Sequence, residues 1–403
     1  MVEASVLSTA KPRLVYITTH PVTADLLLRG QLTFMREQGF QVTVISAPGP
    51  DLDRVREREK VETIAVPMVR SNDLRRDVVS LAQLTGVLRR LRPHIVNAGT
   101  PKAGLLGMMA ARALQVPIRV YLLRGLRLET ETGLMRRVLA TTERIASSCA
   151  HDVVCNSASL LRVSVDAGYV ARKKALVLGH GSSNGVDTER YRRTPELRRD
   201  GIALLAELGI PPHAPLVSFV GRFAADKGIG ELLTAFEIVR REIPEARLAL
   251  VGGDLGGEVA DGPLAARARR ARGVITTPRI FDLAPYYART DVLAFPSFRE
   301  GFPNAVLEAA SAEIPAVAFR STGVVDAIAD GETGVLANQG DVEALAAGLI
   351  RYLRSAELRE AHGRAARARA VTCFARATVW KAWLEAYTVR LAERGLPLPR
   401  AAS

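Results

Sequence analysis

Short runs of apolar, often β-branched residues recur along the chain at 14–18, 42–46, 94–97, 118–122, 152–155 and 175–178. A second series follows at 216–220, 247–251, 274–276, 292–295, 316–319 and 335–337. The segments between them are long enough for helices. Apolar runs of three to five residues read as strands, and strand–helix alternation predicts parallel, doubly wound sheets. Two such series predict an α/β protein of two Rossmann-like domains.

The boundary falls between Asp187 and Leu216, where Pro195, Gly209, Pro211, Pro212 and Pro215 punctuate the chain. The domains are therefore drawn as 1–195 and 196–375, with a final segment, 376–403. Residues 376–393 form an amphipathic helix carrying Trp380, Trp383 and Tyr387, whose pattern alone leaves its packing partner open. The helix 78–91 ends in Arg89, Arg90 and Arg92 before Pro93, cations that suit a helix C-terminus. No repeat and no low-complexity tract is present.

The composition, 48% hydrophobic and 24% charged over 403 residues, permits sizeable cores. No apolar run reaches the length of a spanning helix, and residues 1–10 do not read as a secretory signal. Cys149, Cys155 and Cys373 are too scattered for a disulfide framework or a zinc site, so a reducing cytoplasm is the expected compartment. The net charge of +13 is carried largely by arginine. It reads either as attraction to an acidic partner or as an arginine-rich composition. Aromatics are only 5% and no nucleic-acid-binding motif appears, so no nucleic-acid partner is expected.

The most informative stretch runs from Pro296 to Ala310, directly after the run 292–295. In open α/β sheets, ligands bind at the carboxyl ends of strands. Gly301 permits close backbone approach. Pro303 suits a first helical position, which leaves the N–H groups of a helix start facing outward for a phosphate. Glu300 lies in the loop and Glu308 on the helix, so their carboxylates reach different parts of an extended ligand. The second motif, Gly221-Arg222-Phe223-Ala224-Ala225-Asp226-Lys227-Gly228, follows the run 216–220. An Arg and a Lys at such an edge clamp a diphosphate and stabilise it as a leaving group without a metal. Gly252 and Gly253, ahead of Asp254, read either as a close approach or as a tight turn. Thr277-Pro278-Arg279-Ile280 is a weaker candidate for a base contact.

With these residues the second half resembles the donor domain of the family 4 glycosyltransferases, a retaining group with the GT-B fold, two Rossmann-like domains facing a central cleft. The hallmark is Glu, seven residues, Glu, here Glu300 and Glu308, with Gly221, Arg222, Lys227 and Gly228 matching a second element. The resemblance implies that Arg222 and Lys227 bind the donor diphosphate, Glu300 the sugar hydroxyls and Glu308 the ribose. It implies that Gly301, Phe302, Pro303 and Asn304 line the donor through their backbone and that Ile280 lies by the base. It also suggests that the helix 376–393 returns to the first domain. The first half resembles the subgroup that builds bacterial surface polysaccharides and lipid-linked oligosaccharides. It does so through Gly181–Asp187, Arg124-Gly125-Leu126-Arg127 and Ala150–Ser157. Two departures stand out: Thr18-Thr19-His20-Pro21 where relatives carry a Gly pair, and Arg124-Gly125 where they often carry His-Gly. Arg124 is the expected contact to leaving phosphate or acceptor.

The expected reaction is retaining transfer of a sugar, without a cofactor, from a nucleotide sugar, UDP-linked by expectation, to a glycan or polyprenyl-linked acceptor. Glu300 and Glu308 do not flank one anomeric carbon as the carboxylates of a retaining hydrolase do. An inverting route would need a base in the first domain, for which His20 and Asp25 are the candidates. Asp51-Leu52-Asp53 reads as a solvated loop, so no metal is expected. The basic, apolar segment 122–144 reads either as a rest on an anionic membrane or as ordinary packing. The rival readings are a nucleotide-sugar epimerase of the same fold and a catalytically silent nucleotide-binding regulator. A dinucleotide dehydrogenase lacks its G-x-G-x-x-G after the first strand.

Overall fold

A computed structural model describes residues 11–69, 73–252, 262–277, 280 and 282–401. The chain divides into two compact units, one made of residues 1–184 with 377–403 and the other of 185–376. Residues 185–195, which the sequence pattern assigns to the first domain, pack within the second unit.

The first unit holds a seven-stranded sheet. Its strands are β1 (Arg13–Ile17), β2 (Gln41–Ser46), β3 (Glu62–Ala65), β4 (Ile95–Gly99), β5 (Ile118–Leu123), β6 (Asp152–Cys155) and β7 (Ala175–Leu176). The spatial order is β3-β2-β1-β4-β5-β6-β7, and each neighbouring pair is parallel. β3 has no counterpart among the expected strands. It lies at the sheet edge with a half-exposed Glu-Thr-Ile-Ala sequence, so it lacks the continuous apolar run that marks the inner strands.

The second unit holds β8 (Leu216–Val220), β9 (Arg247–Val251), β10 (Val274–Thr277), β11 (Val292–Phe295), β12 (Ala316–Phe319) and β13 (Gly334–Ala337). Their order is β10-β9-β8-β11-β12-β13, again all parallel. In both sheets the winding reverses beside the first strand, at β1/β4 and at β8/β11. Those reversals are the topological switch points where doubly wound sheets bind ligands.

The helix Arg376–Glu393 buries Val379, Trp383, Tyr387 and Leu391, an i, i+4 stripe. That stripe joins the first unit's core with Leu14, Tyr16, Phe40 and Val120. Polar bonds fix its register: Trp380 Nε1 donates to Asn184 O at 3.0 Å, Trp383 Nε1 to Ser183 O at 3.2 Å, and Arg390 pairs with Asp152 at 2.5 Å.

Candidate active site

Because β8 and β11 are neighbours, the loops that leave their carboxyl ends, 221–228 and 296–303, lie side by side. Three glycines allow the backbones this proximity. At Gly228, with φ of 67°, an added Cβ would sit 2.0 Å from Pro296 O. At Gly252, with φ of 107°, it would sit 2.5 Å from Gly221 O, and at Gly323, with φ of 77°, 2.6 Å from Gly301 O. Backbone bonds complete the assembly, from Phe298 N to Asp226 O at 3.0 Å and from Glu300 N to Thr322 O at 3.1 Å.

The two loops bring the candidate side chains together. Lys227 Nζ lies 2.5 Å from Glu300 Oε1, with both side chains largely buried. Ser297, fully buried, donates to the same Glu300 oxygen at 2.9 Å. Asp226 pairs with Arg299 at 2.9 Å and more loosely with Arg222 at 3.9 Å, and the Arg222 side chain remains 55% exposed. Three cations stand against two carboxylates, so one positive charge is left over, and Arg222 is the cation most open to solvent. Such a cluster can hold a phosphate through charge-assisted bonds.

The helix Asn304–Ser311 starts beside these loops. Pro303 is its N-cap rather than, as expected, its first helical residue, because its ψ of 102° is extended. Val306 N and Leu307 N bond to Pro303 O, and no side chain caps the helix start, so the N–H groups before them face outward. The Phe302 side chain turns into the core, its ring 5.0 Å from that of Phe374, and only its backbone belongs to the turn.

Glu308, one turn along this helix, has surroundings unlike those of Glu300. Tyr287 donates to Glu308 Oε2 at 3.3 Å, and the Tyr191 phenol lies near the same carboxylate. Burial pushes the Glu308 carboxyl up to about 7, against the opposing effects of both phenols, Arg190 and Arg376. The two glutamates therefore differ in chemistry as well as position. One is held by a cation and a serine, the other by one phenol with a second close by.

Ile280 is partly buried against the core of the second unit. Gly253, Asp254, Pro278 and Arg279 lie outside the described residues.

In the first unit, Arg124 leaves the end of β5. Its Nη1 donates to Ser183 Oγ at 2.9 Å and Asn184 Oδ1 at 3.0 Å. Burial lowers its pKa to about 10, partly offset by Tyr16, so it stays cationic at neutral pH. Gly99 makes room for it, since a Cβ there would lie 3.1 Å from Arg124 Nε. At the β1/β4 switch point, Thr19 and Thr100 share a hydroxyl bond of 2.7 Å, with Thr100 held at φ of 105°, a strained conformation for a β-branched residue. His20 Nδ1 accepts from Val22 N at the start of the helix Pro21–Leu27, and the buried Asp25 is paired with Arg58, Arg54 and Arg29. Both residues thus carry structural bonds that a general base would have to give up. Asp51 and Asp53 lie in the first turn of the helix Pro50–Glu59 rather than in a loop, paired with Arg54 and Arg56.

Asp226, Ser297 and Arg299 lie inside the two sequence motifs with no role expected of them, and Tyr191 and Tyr287 lie outside both. The first three sit within the glycine-rich strand ends, where the signal lay. The tyrosines carry no local signal.

Residues 28–181 match the family described as "Glycosyl transferase 4-like domain", and residues 214–355 match "Glycosyl transferases group 1". The capsular polysaccharide biosynthesis glycosyltransferase CapM of Staphylococcus aureus is 32% identical over 367 residues, which covers 91% of this chain and 94% of that protein. An Escherichia coli UDP-Gal:alpha-D-GlcNAc-diphosphoundecaprenol alpha-1,3-galactosyltransferase is 26% identical over 298 residues, covering 73% and 75%. Among solved structures, HepE of Anabaena in complex with UDP and glucose superposes with a TM-score of 0.77 at 20% identity, covering 93% of this chain and 98% of that one, a likeness of fold. Two family matches that together span more than half the chain, joined by a relative alike over nearly its whole length, place this protein in the family 4 glycosyltransferases, with the GT-B fold.

Proposed function

We propose that this glycosyltransferase is a retaining, metal-independent hexosyltransferase. It moves a sugar from a UDP-linked donor to a hydroxyl of a glycan or polyprenyl-linked acceptor in surface polysaccharide synthesis. The observation that carries the reading is the joining of Lys227, Arg222 and Glu300 at the β8/β11 switch point, beside an uncapped helix start. Arg222 and Lys227 take the diphosphate, Glu300 the sugar hydroxyls and Glu308 the ribose. The bond from the anomeric carbon to the phosphate oxygen breaks. The acceptor oxygen bonds to the same face of that carbon, and its proton passes to the departing phosphate. Arg222 and Lys227 stabilise the charge left on the diphosphate. Among the described residues no group of His, Cys, Asp and Glu could hold a metal ion.

The donor and acceptor classes draw on the relatives, whose names include UDP and a diphosphoundecaprenol acceptor. A polyprenyl acceptor puts the enzyme at the inner face of a membrane. Among the described residues no helix is long and apolar enough to cross one. Support for a peripheral contact comes from the start of the helix Gly133–Cys149. There Leu134 is 76% exposed, beside Met135, Val138, Arg136 and Arg137.

The test is a panel of UDP-, GDP- and ADP-sugars, with and without lipid extract, read as nucleotide release and as the anomeric configuration of the product. Release stimulated by acceptor, with the configuration kept, is expected. Isomerised donor without release, or binding without turnover, would overturn the reading in favour of an epimerase or a silent binder.

A further inference from the structure

The Glu308 carboxylate has an unusual set of neighbours. From the helix Ala284–Arg289, Tyr287, fully buried, donates to Oε2 at 3.3 Å. From the segment before the helix Pro195–Glu207, Tyr191 approaches the same carboxylate, its ring edge-on to that of Tyr287 at 5.7 Å. Two cations also face it, and each has another carboxylate close by. Arg190 donates to Asp282 at 3.1 Å, and Arg376, at the start of the last helix, donates to Asp187 at 2.9 Å. The side-chain hydrogen bond that Glu308 accepts therefore comes from a neutral phenol, with a second phenol close by, and the nearby positive charge is paired with other carboxylates.

A carboxylate held this way is oriented without being locked in its charged form. We propose that Tyr191 and Tyr287 are positioning residues for ribose recognition, holding Glu308 as a titrating acceptor that takes the nucleotide's vicinal diol only when ionised. The proposal rests on the ribose role given to Glu308 above and goes beyond it. It names two further residues, predicts discrimination by sugar hydroxyls, and couples donor affinity to pH.

An ionised carboxylate accepts a hydrogen bond from each hydroxyl of a diol, and charge-assisted bonds are the strong ones. A protonated carboxyl loses one acceptor site and presents a donor instead. Burial has already raised this carboxyl to about 7, so the change falls within the working range. The sign follows from linkage. The ligand prefers the deprotonated form, so affinity is full above the carboxyl's pKa and falls as pH drops through it. If the protonated form binds no diol, affinity weakens about tenfold between about pH 8 and about pH 6. A tyrosine-to-phenylalanine change removes a bond that lowers the pKa while keeping the ring. The midpoint then moves up, and affinity lost near neutrality returns at higher pH.

The experiment titrates the full-length protein with UDP and with 2′,3′-dideoxyuridine diphosphate across this pH range, for wild type, Y287F and Y191F. Both nucleotides carry the same titrating phosphate, so the ratio of their dissociation constants isolates the diol contact. The expected result is a ratio that favours UDP at high pH and collapses as pH falls. Its midpoint should lie higher in Y287F and Y191F, with the wild-type ratio recovered at the alkaline end. A purely structural role would weaken both nucleotides at every pH. A ratio independent of pH, or one with the same midpoint in all three proteins, overturns the proposal while leaving the transferase reading intact. If neither nucleotide binds, both the UDP reading and this proposal fall.

Discussion

The Lys227–Glu300 pair gives the sharpest test of how the proposed donor site divides its work. The two groups stand 2.5 Å apart, with 13% and 16% of their side chains exposed. Two unit charges at that separation attract by about 6–7 kcal/mol at an effective dielectric of about 20. Desolvation of both groups offsets most of this, leaving a net coupling on the order of 1–2 kcal/mol for a pair this close to the surface. In the ligand-free protein Glu300 therefore competes with any phosphate for Lys227. Glu300→Ala removes the competitor. We predict that UDP binds this variant about three- to tenfold more tightly, a gain of about 0.7–1.4 kcal/mol. Sugar transfer in the same variant should fall by at least about 100-fold, or about 2.7 kcal/mol of barrier. Lys227→Ala, by contrast, should weaken UDP and slow transfer together. The assay is calorimetric titration with UDP alongside initial rates of nucleotide release, with circular dichroism confirming the fold. If Glu300→Ala loses UDP affinity in step with turnover, the assignment of phosphate to Lys227 and sugar to Glu300 is wrong.

Three further outcomes follow from single sites. Gly228→Ala places a Cβ 2.0 Å from Pro296 O at a positive φ; it should cost more than about 2 kcal/mol and abolish donor binding, and an unchanged urea midpoint would refute the close approach. Trp383→Ala empties a site that is 1% exposed and breaks the bond to Ser183 O; a loss of about 3–5 kcal/mol in chemical denaturation is expected, and a loss below about 1 kcal/mol would mean that the last helix does not anchor the first core. Glu143 is buried under the Tyr121 hydroxyl, and burial pushes its carboxyl from 4.5 to about 7. Its contribution to stability is full below about pH 4.5 and is lost as pH rises through about 7. Glu143→Gln should therefore match wild type near pH 4 and exceed it above pH 8, measured as thermal midpoints, whereas a constant difference would contradict the raised pKa.

Much of the fold was legible because inner strands of a parallel sheet are buried on both faces and so read as unbroken apolar runs. β3 was not, since an edge strand with half its residues exposed has no such run. The same logic divides the site. The loops 221–228 and 296–303 announce themselves through glycine, proline and charge clustered at strand ends. Which partner each charge takes is decided by which strands are neighbours. Lys227 meets Glu300 across 73 residues of chain because β11 lies beside β8, and nothing in either loop says so. Tyr191 and Tyr287 are harder still. Tyr191 stands in a charged run between Arg190 and Arg192, Tyr287 in a short apolar helix, and only packing brings the two rings together beside one carboxylate.

The charges of the resting site also suggest an order of events on the proposed reading. Glu300 is bound to Lys227 and Ser297, and Asp226 holds Arg299 closely, so four of the site's five charged groups are closely paired before any ligand arrives. Arg222, at 3.9 Å from Asp226 and more than half exposed, is the cation that can move at least cost. A diphosphate captured first by Arg222 brings two negative charges beside Lys227, which then has a stronger partner than a single carboxylate. Drawing Lys227 toward phosphate leaves Glu300 Oε1 with Ser297 alone and removes the cation that offsets its charge. Glu300 is thus a stronger acceptor for sugar hydroxyls once phosphate is seated. A free sugar, which has nothing to offer Lys227, meets a carboxylate whose charge is still offset, so the pairing in the empty site also favours an activated donor.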